Sequence, residues 1–409
     1  MNLRPLLLLL VLLMTACAGA PKAPKTDPQL PYPPPRPPAV GDILHLPTGF
    51  YVTEGAMLQA VGDARIAYVG ETHDNPASHR LELAVLQAMA ERWPGEVALA
   101  MEMFTPSQQP ALDRWVAGEL DEKEFIKTSG WYQNWRMDFD YYRELLLFAR
   151  ERKIPVLGIN AEKSLVKALR ERPAAELAPE LQTQVPEMDL DDPYQSALVE
   201  AIFGGHAHGN SDLSGFLRVQ TLWDETMAAN IAGFLGEHRE MRLVVVAGGN
   251  HVRYGFGIPR RVFRRLPTSY VLVATQEIEI PEEKRGELMD VELPSFPMPP
   301  YHFLTYSRYE SLDKEEVRLG VLLEEGEAAE VRVKGVLPES AAALAGVQEG
   351  DRILAIDGSA VTESFDLIYV VKQKRPGDRA RLQIGRDGQE LLIEAVFPPA
   401  GETRPHGTR

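Results

Sequence analysis

The chain has 409 residues and a formal net charge of -16 at pH 7. That balance excludes a broad nucleic-acid surface, which needs clustered Lys and Arg, so no nucleic-acid partner is expected. With 44% hydrophobic residues the chain can bury a core, and its length calls for two or three units rather than one.

Residues 1–16 read as a processing signal that stands outside the fold. Arg4 gives a positive start and residues 6–13 a short apolar stretch. Met14-Thr15-Ala16-Cys17 resembles the lipobox of bacterial lipoproteins, in which the cysteine is lipidated and becomes the new first residue. Met14 stands where Leu is usual, and Ala16-x-Ala18 also suits ordinary signal cleavage. Cys17 is the single cysteine of the sequence, so it has no disulfide partner within the chain. The resemblance implies a membrane anchor on Cys17. Ala18, which is not acidic, implies the outer membrane, facing the periplasm. Residues 17–40 contain Pro33-Pro34-Pro35 and Pro37-Pro38 and are expected to form an extended tether. No internal apolar run is long enough to span a bilayer.

Order is expected from residue 41. Short runs rich in Val, Ile, Leu and Ala predict strands at 65–69, 97–101, 155–159, 243–247 and 270–274. Helical patterns separate them. One starts at Asn75-Pro76, a good N-cap followed by a good first helical residue. Helical insertions are expected at 106–128 and 164–203. This alternation predicts an α/β fold, a mostly parallel sheet with helices on both faces. Ligands of such sheets sit outside the carboxyl ends of the strands.

The predicted strand ends carry chemistry. The first leads into Gly70-Glu71-Thr72-His73, the second into Glu102, the third into Asn160 and the fourth into Gly248-Gly249-Asn250-His251. His79, in the first turn of the following helix, could face the same crevice or the solvent. His73, Glu102 and His251 together suit zinc or a similar divalent ion with water in an open position. Without metal, a histidine held by a carboxylate is a general base, and Glu71 could take a proton. The aromatic stretch from Trp131 to Tyr142 leaves room for a flat apolar ligand, and tyrosine can bind haem iron. Tyr132, Tyr141, Tyr142 and Tyr254 are the candidate ligands. His206-Ala207-His208, amid glycines, is expected to be a loop.

Residues 281–311 are acidic and then proline-rich and are expected to be a linker. A second unit is predicted over 312–398, followed by a tail at 399–409. It shows strands near 318–321 and 331–336, a short alanine-rich helix after Ser340, a strand ending at Asp357-Gly358, a helix at 365–372 and a hairpin around Asp387-Gly388. This order, with Ser340-Ala341-Ala342, Gly346-Val347 and Gly350-Asp351-Arg352-Ile353-Leu354, resembles a bacterial PDZ domain. The resemblance implies that Leu319-Gly320-Val321 presents backbone N–H groups to the carboxylate of a peptide or protein C-terminus, which joins the sheet as an added strand. No Gly-x-Ser-x-Gly serine motif is present.

The first unit resembles the ChaN-type haem-binding, iron-regulated lipoprotein family. The stretches that carry the likeness are Tyr68-Val69-Gly70-Glu71-Thr72-His73 with His79, Ala100-Met101-Glu102-Met103-Phe104, Ile154-Pro155-Val156-Leu157-Gly158-Ile159-Asn160, Gln220-Thr221-Leu222-Trp223-Asp224, and Gly248-Gly249-Asn250-His251 with Gly257-Ile258-Pro259. It spans about 41–280. The resemblance implies haem as cofactor, a tyrosine on its iron, a role in haem or iron uptake, and a haem sometimes shared across a homodimer. The same core is similar to erythromycin esterase-like and Tiki/TraB-type proteins. In those, two Gly-x-x-His motifs and a glutamate form a hydrolytic or metal site. That likeness implies catalytic roles for His73, His251, Glu102 and Glu71 as the alternative to haem.

Overall fold

A computed structural model describes residues 30, 32–135, 137–206, 212–286, 291–312, 317–324 and 330–398. Cys17 with its signal peptide, His208 and the 399–409 tail lie outside the described residues.

The first unit is built on one eight-stranded sheet. Its strands are β1 (Ile43–His45), β2 (Phe50–Tyr51), β3 (Ile66–Glu71), β4 (Val97–Met101), β5 (Val156–Gly158), β6 (Arg242–Gly248), β7 (Tyr270–Glu279) and β8 (Phe303–Arg308), in the order β2-β1-β8-β7-β3-β6-β4-β5. From β8 to β5 every neighbouring pair runs parallel. The β1–β2 hairpin closes the other edge antiparallel. β3 is central, paired with β6 (Tyr68↔Val245) and β7 (Tyr68↔Leu272), and all six of its residues are buried. Its side chains alternate between two cores. Ala67 and Val69 join Met57, Val85, Met89 and Leu146 on one face. Ile66 and Tyr68 join Met227, Ile231, Leu235 and Val262 on the other. A strand covered on both faces must be apolar at every position, so it reads as a continuous run.

The Pro76–Arg92 helix starts as its sequence dictates. Asn75 accepts a hydrogen bond from the Ala77 amide, and Pro76 takes the first helical position. The chain therefore turns sharply between the end of β3 and this helix, which fixes Glu71, His73 and His79 at one edge.

The structure corrects the expected linker at 281–311. Its last part, Phe303–Arg308, is β8, parallel to β7 with Val273 opposite Phe303. The prolines end at Pro300, and Tyr301, Phe303, Leu304 and Tyr306 are buried. The prolines that precede β8 make the whole region read as a linker and hide this strand.

The second unit is a six-stranded antiparallel sheet formed by β9 (Val321–Leu323), β10 (Val331–Val336), β11 (Arg352–Ile356), β12 (Ser359–Ala360), β13 (Arg379–Arg386) and β14 (Gln389–Val396). Asp357-Gly358 and Asp387-Gly388 all adopt positive φ, as two-residue hairpin turns require. The Ser364–Lys372 helix covers the sheet and also meets the first unit. Phe365 is buried in the first unit's core and stacks on Tyr132 at 6.1 Å. Lys123 pairs with Asp366 at 2.8 Å, and Lys127 pairs with Glu363.

Candidate functional site

The parallel sheet gathers the ends of β3, β4 and β6 at one edge. His73 follows β3, Glu102 follows β4, and His251 lies in the short helical turn after β6. Both glycines of the Gly-x-x-His motifs sit where neighbours approach closely. A Cβ on Gly70 would lie 3.2 Å from the Gly249 Cα, and one on Gly248 would lie 3.0 Å from His73 Nε2.

Each histidine is held by its own carboxylate. His73 Nδ1 lies 2.5 Å from Glu71 Oε1, and His251 Nδ1 lies 2.7 Å from Asp224 Oδ1. Asp224, on the Leu213–Glu237 helix, is itself fixed by the Gln195 amide. Glu102 accepts the Gly248 N–H at 2.7 Å and lies 3.6 Å from His251 Nε2. The Asn160 side chain donates to the Glu102 carbonyl at 3.0 Å. The Tyr142 hydroxyl donates to Glu71 Oε1 at 2.9 Å.

The charges are strongly coupled. Burial lowers the affinity of His251 for a proton, but the charges of Glu102 and Asp224 outweigh it and raise its pKa to about 9. His73 is raised to about 9 in the same way, the charge and hydrogen bond of Glu71 overcoming burial. Glu71 and Glu82 are fully enclosed, and burial pushes each up to about 7. Burial lowers His79. A buried histidine beside two carboxylates is a strong hydrogen-bond partner and can carry a proton.

The four tyrosines have different surroundings. Tyr142 is completely buried and committed to Glu71, with the Trp135 indole 3.3 Å from its hydroxyl. Tyr132 packs against Phe365 of the second unit. Tyr254 has φ of 58°, stacks on Phe256 and meets Phe296 edge-on at 4.8 Å. Tyr141 is half-buried at the edge, 5.2 Å from the His79 ring. Trp135 meets His73 edge-on at 5.0 Å.

Among the described residues, the group that brings three metal donors within 4.8 Å of one another is Glu71, His79 and Glu82, not His73, Glu102 and His251. Sequence reasoning missed Asp224 and Glu82 as site residues, and it named Tyr142 as a haem ligand rather than as the hydrogen-bond partner of Glu71. Only Glu82 carried a local signal, lying three residues after His79 on one helix face.

In the second unit, Leu319, Gly320 and Val321 line a cavity of about 470 Å³ with Leu367, Ile368 and Val371 of the covering helix. Gly320 has φ of 83°, and a Cβ there would lie 2.1 Å from that of Ser340. Asp138 of the first unit also lines this cavity.

A parallel α/β domain with histidine–carboxylate pairs at its strand ends, followed by a peptide-groove module, defines a two-module ligand-binding protein. A family model described as haem-binding uptake, Tiki superfamily, ChaN matches residues 57–262, half of the chain, and the chain belongs to that family. Haem is the cofactor this membership supports. A PDZ domain model matches residues 317–396, so the second unit is a PDZ domain.

The structure of a ChaN protein from Campylobacter jejuni with cofacial haem is 17% identical, covers 64% of this chain and 95% of that one, and superposes with a TM-score of 0.49. Among curated proteins, a probable DegP-like periplasmic serine endoprotease of Marinomonas is 34% identical over 74 residues, which is 18% of this chain and 15% of that protein. The regulator of sigma-E protease RseP of Escherichia coli is 35% identical over 71 residues, 17% of this chain and 16% of that protein. The chain thus spans about one sixth of the curated relatives it matches. No helix of the described residues is long and apolar enough to cross a membrane.

Proposed function

We propose that the α/β domain holds haem at the edge lined by Tyr141, Trp135 and His73, with the Tyr141 phenol on the iron, as part of haem or iron uptake. The observation that carries this is the half-buried Tyr141, 5.2 Å from the His79 ring, within the stretch that matches the haem-binding family. A phenol, an imidazole and aromatic rings are a donor set that fits an iron porphyrin. The neighbouring cavity lined by Gly70, Glu71, Gly249, Arg253 and Tyr301 is about 170 Å³, below the roughly 300 Å³ of a ligand pocket. Haem would therefore lie on the open edge, which favours sharing it across a homodimer. A lipid on Cys17 would keep the protein at the outer membrane, facing the periplasm, and the PDZ groove would take a peptide or protein C-terminus. Titration of haem-free protein with haemin tests the reading: wild type should give a saturable, shifted Soret band and Tyr141→Phe should not.

A second reading, a hydrolase using His73, Glu102 and His251 with Glu71 as base, is favoured by one observation. Each histidine has an orienting carboxylate at 2.5 or 2.7 Å, as a general base needs. Ester or peptide hydrolysis that survives His251→Ala would remove it.

A further inference from the structure

Behind His73, Glu71 shares the interior with His79 and Glu82, two residues that neither the haem reading nor the hydrolase reading uses. His79 Nδ1 lies 3.3 Å from Glu71 Oε2 and 3.2 Å from Glu82 Oε2. All three side chains are more than nine-tenths buried. The other ring nitrogen, His79 Nε2, lies 3.1 Å from the His73 carbonyl oxygen. A carbonyl can only accept, so Nε2 must carry the proton. In the neutral ring Nδ1 is then a bare lone pair facing two carboxylate oxygens. Something positive has to stand between them.

A proton is the simplest candidate and leaves a deficit. Glu71 Oε2 and Glu82 Oε1 are both buried without a hydrogen-bond partner, and an orphaned buried oxygen costs about 1–3 kcal/mol. Protons satisfy both oxygens and the imidazole lone pair only with both carboxyls in the acid form, whereas a single metal ion takes several lone pairs at once.

We propose that Glu71, His79 and Glu82 bind a divalent first-row transition ion, such as zinc or manganese, through His79 Nδ1, Glu71 Oε2 and the Glu82 carboxylate. The spacing suits such an ion. Metal–ligand bonds of about 2.0 Å at a tetrahedral angle put neighbouring donors about 3.3 Å apart, and the two measured separations are 3.3 and 3.2 Å. The supporting contacts are in place as well. Metal-bound histidines donate their second nitrogen to a carbonyl or carboxylate, and metal-bound carboxylates are themselves hydrogen-bonded. Here Nε2 donates to the His73 carbonyl, while Tyr142 and His73 both engage Glu71 Oε1, leaving Oε2 for the metal. With His73 neutral beside Glu71, two carboxylates and a neutral imidazole balance the double charge, as burial demands. Mixed nitrogen and oxygen donors select a borderline ion over calcium or magnesium. The ion would fix Glu71, and through it His73, from the inner side of the haem edge.

The test uses full-length, haem-free protein without a histidine tag, so its outcome is independent of haem binding. Elemental analysis should find one zinc, manganese or iron ion per chain. After chelation, added Co²⁺ should restore one equivalent, with d–d absorption and a higher melting temperature. Glu82→Gln, close to isosteric, should abolish uptake. Tyr142→Phe should weaken it by about 10–100-fold. His251→Gln should retain the ion, which separates this site from one built on His73, Glu102 and His251. No stoichiometric metal with a melting temperature unmoved by Co²⁺, or full uptake by Glu82→Gln, would overturn the proposal and leave a carboxyl pair sharing protons.

Discussion

Asp224 shows what a single residue does at this edge and why the sequence hides it. Its carboxylate lies 27 positions before His251 and meets it at 2.7 Å only because the Leu213–Glu237 helix packs beside β6. His73, Glu102 and His251 are legible because they end strands, a local pattern. Asp224 and Glu82 contribute through contacts that follow from packing, as does the Glu71 contact of Tyr142, a residue legible only as part of an aromatic stretch. The pH behaviour of His251 measures the difference. Its pKa is raised from 6.5 to about 9, with Glu102 and Asp224 raising it and burial and His73 lowering it. A raised folded-state pKa means that protonation favours the folded state. The contribution is complete below about pH 6.5 and is lost as pH rises through about 9. Asp224→Asn should move the His251 pKa down towards 6.5 in an NMR titration and flatten the fall in stability above neutral pH. An unchanged midpoint would mean that Asp224 does not set this charge.

At the level of elements, β3 and β6 are readable because burial on both faces forces an unbroken apolar run. β8 escapes because Pro297 to Pro300 make the region look like a linker, and its short run of Phe303, Leu304 and Tyr306 lacks a clean alternation. The PDZ turns are legible from Asp357-Gly358 and Asp387-Gly388, whose positive φ values match their residue types. The groove loop Leu319-Gly320-Val321 is legible through the PDZ resemblance, and the geometry of Gly320 shows why a glycine stands there. Its φ of 83° and the 2.1 Å approach of Ser340 leave no space for a side chain. Gly320→Ala should cost about 1–3 kcal/mol in unfolding of the PDZ domain and weaken binding of C-terminal peptides. Fluorescence titration with labelled peptides would check this, and wild-type affinity in the variant would mean that the loop does not shape the groove.

Across the whole molecule, the two units are joined by more than a linker. Phe365 and Tyr369 of the PDZ helix pack on the first unit's core, and Lys123 and Lys127 pair with Asp366 and Glu363. The same helix lines the peptide groove through Leu367, Ile368 and Val371. No local pattern announces this contact, because an exposed aromatic residue on a PDZ helix looks the same whether or not a neighbour covers it. Exposed ion pairs contribute little, about 0–1 kcal/mol each, so Phe365 should dominate. Phe365→Asp should leave both units folded and increase the radius of gyration in small-angle scattering. A scattering profile identical to wild type would show that the units are held by something else. Cleavage that frees the PDZ domain should fall after Arg308, because β8 belongs to the first sheet.

The central claim is that this α/β edge holds haem through Tyr141. The most direct measurement is a haemin titration of the haem-free chain, followed by its Soret band, with Tyr141→Phe, Tyr132→Phe and Tyr254→Phe measured in parallel. The account predicts saturable binding and a tyrosinate-type spectrum that is lost only in Tyr141→Phe. A band indistinguishable from that of free haemin, or a tyrosinate spectrum that persists in Tyr141→Phe, would contradict it.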